Sequence, residues 1–347
     1  MNPLVSVNLL LFQPQKYLEP CLRAILAQSY DNFELLVMDN NSGDGTPERA
    51  EAIIKEAQSS GLKVPFYKII ANKDNLGFAG GHNLALRENR GEIICLVNQD
   101  VVLDEDFLAQ AVNGFNDKKV GSVQVKILRL KVEDEKLIKT DIIDTTGLVI
   151  LKNRRIIARG QGRQDQGQFD KAEEVFGVDG ALPVYRRAAL EDAKIKIGSK
   201  EEYLDEDFFM YKEDVDLAWR LRLFGWQALY EPKAVAWHAR TAGDSAKTGY
   251  LGIIKERLKI NKFGKYHSFK NQRLMQIKNE DFRLLWRHFF YFAPKEIASW
   301  LYVLLFEHYT WKSIKELVRL APRAWQKRRL IMERKKAGAE EMKKWFK

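Results

Sequence analysis

Two cysteines, Cys21 and Cys95, are all that the 347 residues contain. They are too few for a disulfide framework and too far apart in sequence for a zinc pattern. Both read as reduced, buried thiols of a cytosolic protein. Long apolar runs are missing too. The most apolar segment is HFFYFAPKEIASWLYVLLFEHYTW, and its longest uncharged run, Ile297 to Phe306, has 10 residues between Glu296 and Glu307. A membrane span needs roughly 20, so a helix lying in the membrane interface fits better; packing on the rest of the protein is the alternative. The N-terminal MNPLVSVNLLLFQPQ has no basic n-region and no small-residue cleavage site, so a strand is expected there and not a secretory signal. No G-x-G-x-x-G, no P-loop and no solenoid-period repeat is found.

Present instead are 46% apolar and 30% charged residues, the balance of a folded chain. The net charge of +10 is uneven. Residues 251–347 hold 24 Lys and Arg against 9 Asp and Glu, whereas residues 1–250 hold 33 against 38. The basic character belongs to the C-terminal part, as suits nucleic acid or an anionic membrane.

The first 130 residues alternate strand and helix patterns. VSVNLLLF, FELLVMD, VPFYKII, EIICLVN and VGSVQVKIL read as buried strands. TPERAEAIIKEAQ, AGGHNLALREN and DFLAQAVNGF read as helices between them. This predicts a mostly parallel sheet covered on both faces, with ligands at the carboxyl ends of its strands. GLVILKNRRIIARG predicts a hairpin turning near Asn153, and GQGRQDQGQFD a mobile loop. WQALYEP and AVAWH predict two short strands.

Three polar sites fall at strand ends. In LLVMDNNSGDGT an acid ends a strand, placed to accept from a ribose hydroxyl or base N–H; turn chemistry alone explains the same residues. NLGFAGGHN sets three glycines before a helix, where backbone amides attract phosphate, and a structural helix start is the alternative. VNQDVVLDEDF places Asp100 at a strand end, able to hold a cation that bridges a diphosphate. Together these segments offer Asp39, Asn41, Asn75, Gly77, Gly81, Asn83 and Asn98 to a donor nucleotide.

The stretch FFMYKEDVDLAWRLRLFGW holds Glu213, Asp214 and Asp216 among aromatics. Leu217, Leu221 and Phe224 recur at helical spacing, so a helix ends at Gly225 with Glu213 and Asp214 in its first turn. Interaction with the helix dipole accounts for such acids; a proton acceptor in a partly dry cleft is the functional reading. His238, one of five histidines, ends a strand pattern and is a ligand candidate.

Read in order over residues 4 to 240, the segments VSVNLLLF, CLRAILAQSYDNFELLVMDNNSGDGT, NLGFAGGHNLAL, CLVNQDVVLDEDFL, VDGALPVYRRAAL and DEDFFMYKEDVDLAWRLRLFGWQALYEPKAVAWH resemble family 2 glycosyltransferases of the GT-A fold. They are most similar to bacterial rhamnosyltransferase-like members. The resemblance implies an α/β, Rossmann-like GT-A catalytic domain over 1–250 and a helical, basic, membrane-associating extension over 251–347. It implies inverting, Mg2+- or Mn2+-assisted transfer of a sugar, rhamnose by preference, from a nucleoside-diphosphate sugar to a glycan or polyprenyl-linked acceptor. Asp39 then contacts base or ribose, Asp100 and His238 hold the metal, Asp214 is the general base, and Glu213 positions it or the acceptor. The expected location is cytoplasmic, peripheral on the inner face of the cell membrane, with no nucleic-acid partner.

Two departures stand out. The family's D-x-D is Asn98-Gln99-Asp100 here, and the first strand ends in Phe12-Gln13-Pro14. A nucleotidyltransferase on a related fold, or a nucleotide-sugar-binding homologue without turnover, are the alternatives.

Overall fold

The computed structural model describes residues 2–134, 136–240 and 249–347. The alternating half runs β1 (Val5–Leu11), α1 (Leu18–Leu26), β2 (Phe33–Asp39), α2 (Thr46–Ser59), β3 (Phe66–Ala71), α3 (Gly77–Glu88), β4 (Ile93–Asn98), β5 (Val101–Leu103), α4 (Phe107–Asn113) and β6 (Val120–Glu133). Next come β7 (Lys136–Thr145), β8 (Leu148–Ile150), β9 (Ile156–Ala158), β10 (Glu173–Val175), β11 (Val184–Arg186), α5 (Arg187–Ala193), β12 (Ile195–Ile197), β13 (Lys200–Glu202), α6 (Glu213–Leu223) and β14 (Gln227–His238). The rest is helical: α7 (Tyr250–Lys259), α8 (Lys262–Asn279), α9 (Phe282–Arg287), α10 (Phe289–Phe306), α11 (Trp311–Arg334) and α12 (Ala339–Lys343).

The main sheet has the order β10-β14-β6-β11-β4-β1-β2-β3, with β5 on β14 and β7 on β6. β1 pairs in parallel with β2 and β4, and β2 with β3, as continuous apolar strands joined by helices require. β11 runs antiparallel to both neighbours, so the sheet is mixed. β8 and β9 form the expected hairpin. The two strands expected from WQALYEP and AVAWH are one, β14, with its register shifted between Glu231 and Val235; a bulge absorbs the irregular Glu231–Lys233 stretch that reads as a break in sequence. The segment expected to be a mobile loop is tied to the sheet: Lys126 Nζ lies 2.7 Å from both Asp165 and Asp170.

Each sheet face has its own core. One packs β-strand residues such as Val7 and Leu35 against α1, α2 and α4. The other joins Leu217 and Trp219 of α6 to Leu274 and Met275 of α8 and to Leu320 and Ile331 of α11. The C-terminal helices therefore share a core with the central body. Part of their basic charge is turned inward: Lys278 and Lys327 are fully buried in ion pairs. Composition alone suggests a solvated basic tail, because it does not show that acids 200 to 220 are its partners.

α10 is the exception. It is 18 residues long and by length and composition apolar enough to cross a membrane, with 6% of that stretch buried. The uncharged run counted in sequence is shorter because the helix continues through Lys295 and Glu296. Phe290, Phe306, Leu305 and Ile297 are exposed along it, and Trp286 stands exposed just before it.

Candidate active site

The strand ends form one side of a cleft of about 310 Å³ whose lining includes Asn98, Asp100, Asp179, Lys212, Glu213, Asp214 and His238. Topology explains how residues 138 positions apart meet. β5 runs antiparallel along β14 and pairs Val101 with His238, so Asp100, one residue before, lands beside the imidazole. Asp100 Oδ1 is 3.5 Å from His238 Nε2. Burial works against the Asp100 charge, but the imidazole prevails and lowers its pKa. For His238, burial alone would lower the pKa; Asp100 and Asp144 outweigh it and push the value up to about 10.

Asp144 is a residue that sequence reading misses. It lies near the end of β7, has no solvent exposure, and its Oδ2 sits 2.9 Å from His238 Nδ1. Arg240 donates to the same oxygen at 3.0 Å. A carboxylate on one ring nitrogen fixes the ring so that the other faces the cleft. The available signal is an acid closing the apolar run DIIDTTG, and that run invites no such reading without its neighbour on β14.

Oxygen from Asp100 and nitrogen from His238 form a two-residue donor set for a divalent ion. Among the described residues no group of three or more His, Cys, Asp or Glu side chains is arranged to hold a metal ion, so a divalent ion held by this pair would need further ligands from outside the protein.

At the other side stands α6. Asp214 accepts from Val215 N at 2.8 Å and from Gly180 N at 3.0 Å. Burial and then the Asp179 charge push its pKa up to about 6, against the opposing pull of Lys212 and these N–H groups. Glu213 is buried, and burial together with Asp214 raises it well above the carboxylate range. Its Oε2 has no hydrogen-bond partner among the described residues. Asp216, the third acid of the cluster, turns the other way. It receives Lys278 Nζ and Asn279 Nδ2, each at 2.7 Å, and is fully buried. The crowding of acids at this helix start thus has two answers: two face the cleft and one anchors α8.

The chain enters α6 in a strained form. Phe209, Tyr211 and Lys212 all have positive φ, 65°, 70° and 76°, each a departure that surrounding structure must enforce. The enforcement comes from α8. Asn271 Nδ2 donates to the carbonyls of Phe208, Met210 and Tyr211 at 2.8–2.9 Å, and Lys270 Nζ to that of Asp207 at 2.6 Å. No local pattern in the sequence points to Asn271.

The expected donor contacts divide. Asn98 lines the cleft. Asn41 is exposed at positive φ on the turn after β2. Asp39 is buried and closes that turn: both its oxygens accept from Ser42, which in turn accepts from Gln13 N at 2.9 Å. Asn75 accepts from Gly77 N at 2.9 Å, and Asn40 ties the two turns by donating to Gly77 O at 2.9 Å. Gly77 and Gly81 serve close packing. A Cβ on Gly77 would lie 2.4 Å from the Phe209 carbonyl, and one on Gly81 2.5 Å from Leu10. Asn83 is fully buried and bonded to Leu204 and Glu206, which leaves its amide engaged within the fold. The two sequence departures meet each other: Gln99 accepts from Phe12 N at 2.7 Å and donates to Phe12 O at 3.1 Å.

A mixed sheet of this order, with an acid and an imidazole at adjoining strand ends and a carboxylate on a facing helix start, defines a GT-A-type α/β protein. The family model described as "Glycosyl transferase family 2" matches residues 6–193, more than half of the chain, and the chain belongs to that family. It is 24% identical over 234 residues to poly-beta-1,6-N-acetyl-D-glucosamine synthases of Staphylococcus epidermidis and Staphylococcus aureus. The match covers 67% of this chain and 49% of theirs, so the chain spans about half the length of these curated relatives. Among solved structures it resembles a mannosyltransferase from Pyrobaculum calidifontis in complex with GDP-Man and Mn2+, at TM-score 0.51 and 18% identity over 95% of this chain and 74% of that one. GalNAc-T7 with UDP, GalNAc and Mn2+ gives 0.54 and 11% over 80% and 48%. TarS of S. aureus gives 0.50 and 16% over 95% and 55%. These likenesses show the fold.

Proposed function

We propose that the protein is an inverting glycosyltransferase that moves a sugar from a nucleoside-diphosphate donor to a hydroxyl of a cell-envelope glycan or polyprenyl-linked acceptor. One observation carries the reading: a single cleft is lined both by the Asp100–His238 pair and by Asp214. Inversion needs a leaving group held on one side of the sugar and a base on the other. Asp100 and His238 would hold a divalent ion, Mg2+ or Mn2+, with Asp144 keeping the imidazole in place. When bound, such an ion supplies positive charge to the departing diphosphate. Asp214 takes the acceptor proton; a pKa near 6 leaves it ionised at neutral pH yet basic enough to act. Glu213, whose charge burial and Asp214 disfavour, positions the acceptor or Asp214.

Of the donor contacts, Asn98 and Asn41 are the side chains open to a nucleotide, while Asp39, Asn75 and the glycines shape the turns beneath it. Rhamnose is the sugar favoured by the sequence resemblance. N-acetylglucosamine is the one in the names of the curated relatives. Residues 1–250 form the catalytic part, and residues 251–347 prop the α6 lead-in. The exposed aromatic face of α10 supports docking on an anionic membrane at the cytoplasmic face.

Thermal-shift screening of nucleotide sugars with Mg2+ and Mn2+ tests the reading. A metal-dependent shift with one donor supports it; no shift with any nucleoside diphosphate overturns it. Liposome flotation tests the membrane part, with loss of flotation expected for Phe290→Ser combined with Ile297→Ser.

A further inference from the structure

Lys212 stands apart from the other basic residues of the core. It lines the cleft directly ahead of Glu213 and Asp214. Lys278, Lys327, Lys126 and Arg154 each have carboxylate partners, whereas Lys212 forms no side-chain ion pair or hydrogen bond with any described residue. Its backbone is at φ 76°. Glycine adopts that conformation without strain and lysine does so at a cost. Around its ammonium, Asp214, Glu213 and Asp179 attract and Arg155 repels, while burial disfavours the charge. Arg155 is itself paired with Glu256. On α10, Lys295 has Glu296 at 3.3 Å and is opposed by the charge of Lys212.

We propose that Lys212 is an anion site on the acceptor side of the cleft, and that it takes a phosphate group carried by the acceptor near its reacting hydroxyl. The inference rests on the glycosyl-transfer reading. The donor diphosphate belongs with Asp100 and His238, and a hydroxyl that gives its proton to Asp214 must approach from the Lys212 side. Ile260, Gly264 and Ser268 also line the cleft. Lys212 is half-buried, and an ammonium that has lost part of its water without gaining a partner is unfavourable; a phosphate oxygen offers it a charge-assisted hydrogen bond. Lys295, on the apolar helix α10, is near enough for the Lys212 charge to act on it, and a lipid chain attached to the phosphate would run toward that helix.

The test uses the full chain saturated with the nucleoside diphosphate and Mn2+ that give the largest thermal shift, so that the donor side is filled. Octyl phosphate, inorganic phosphate and octanol are then titrated by calorimetry. Both phosphates are expected to bind, with Lys212→Met weakening them about tenfold or more and Lys212→Arg restoring affinity. Octanol should not respond to either substitution. Tighter binding of octyl phosphate than of inorganic phosphate assigns a lipid-linked source; equal binding assigns a soluble one. Unchanged phosphate affinity in Lys212→Met, with nucleotide binding retained as proof of folding, overturns the proposal. So does phosphate binding that vanishes once nucleotide and Mn2+ are present, which would place the anion on the donor side. Failure of every nucleoside diphosphate to bind is seen before octyl phosphate is added, and it removes the underlying reading instead.

Discussion

At one end of the cleft, Asp100 and His238 stand on paired strands, and the backbone ladder between β5 and β14 leaves their approach little freedom. At the other end, Asp214 stands on a helix whose lead-in bends through three residues of positive φ and is held by Asn271, 60 positions beyond Tyr211. The first end is made of local sheet geometry. The second depends on helices that a domain boundary near residue 250 would set aside as an appendage. Lys278 bridges Asp205 and Asp216 at 2.5 and 2.7 Å, and Lys327 reaches Glu202, Asp205 and Asp207. Such buried ion networks add little net stability, yet breaking one partner is costly. Their effect is to fix one position for the α6 lead-in, and so for Asp214.

Asp214→Asn attacks the conditional end at its chemistry, where the largest effect is expected. It keeps the shape and the bond from Gly180 but removes the basic oxygen. Transfer should fall by about 10²–10⁴-fold while nucleotide affinity measured by calorimetry is unchanged. Equal turnover would assign the base elsewhere. Lys278→Met attacks the same end at its support. It leaves the Asp205 and Asp216 carboxylates short of counter-charge, and urea unfolding should show a loss of about 3–5 kcal/mol. A loss below about 1 kcal/mol, the range of exposed pairs, would mean that the two ends are held alike.

The same contrast explains what the sequence reveals. Asp100, His238 and Asp214 end or start elements whose periodicity is plain, and strand ends are where ligands sit in such sheets. The parallel strands β1 to β4 are legible for the same reason. Asp144, Asn271 and Lys212 are not. Asp144 acquires meaning only when β7 folds back along β6 beside β14. Asn271 lies in a helix whose polar side reads as solvent-facing until α8 is packed on the 205–212 segment. The glycines of NLGFAGGHN leave two readings open in sequence, phosphate contact or a structural helix start, and the structure supplies a packing reason for two of them: Phe209 and Leu10 occupy the space that side chains on Gly77 and Gly81 would need. Pairwise facts of this kind exist only in three dimensions.

At the strand end, Asp144→Asn tests whether ladder geometry alone suffices. The amide keeps the size but not the charge that orients His238, and Mn2+ affinity in the presence of nucleoside diphosphate should weaken about 10–100-fold. Unchanged affinity would show that β5–β14 pairing positions the ring by itself.

The smallest effect concerns the acid limb of the pH profile. Asp214 is pushed up to about 6, so below that pH it is progressively protonated and unable to accept a proton. The value of kcat/KM should then fall about tenfold per pH unit below 6 and level off above it. Burial is the larger cause of the shift and the Asp179 charge the second. Asp179→Asn should therefore move the limb to lower pH without returning it to the ordinary carboxylate range, because the burial remains. A limb that stays in place would mean that the desolvated pocket built by α6 and α8 sets the base strength alone. A limb that drops to the ordinary range would mean that the lead-in opens to water in solution, and the clamp from α8 would then not be what keeps this end dry.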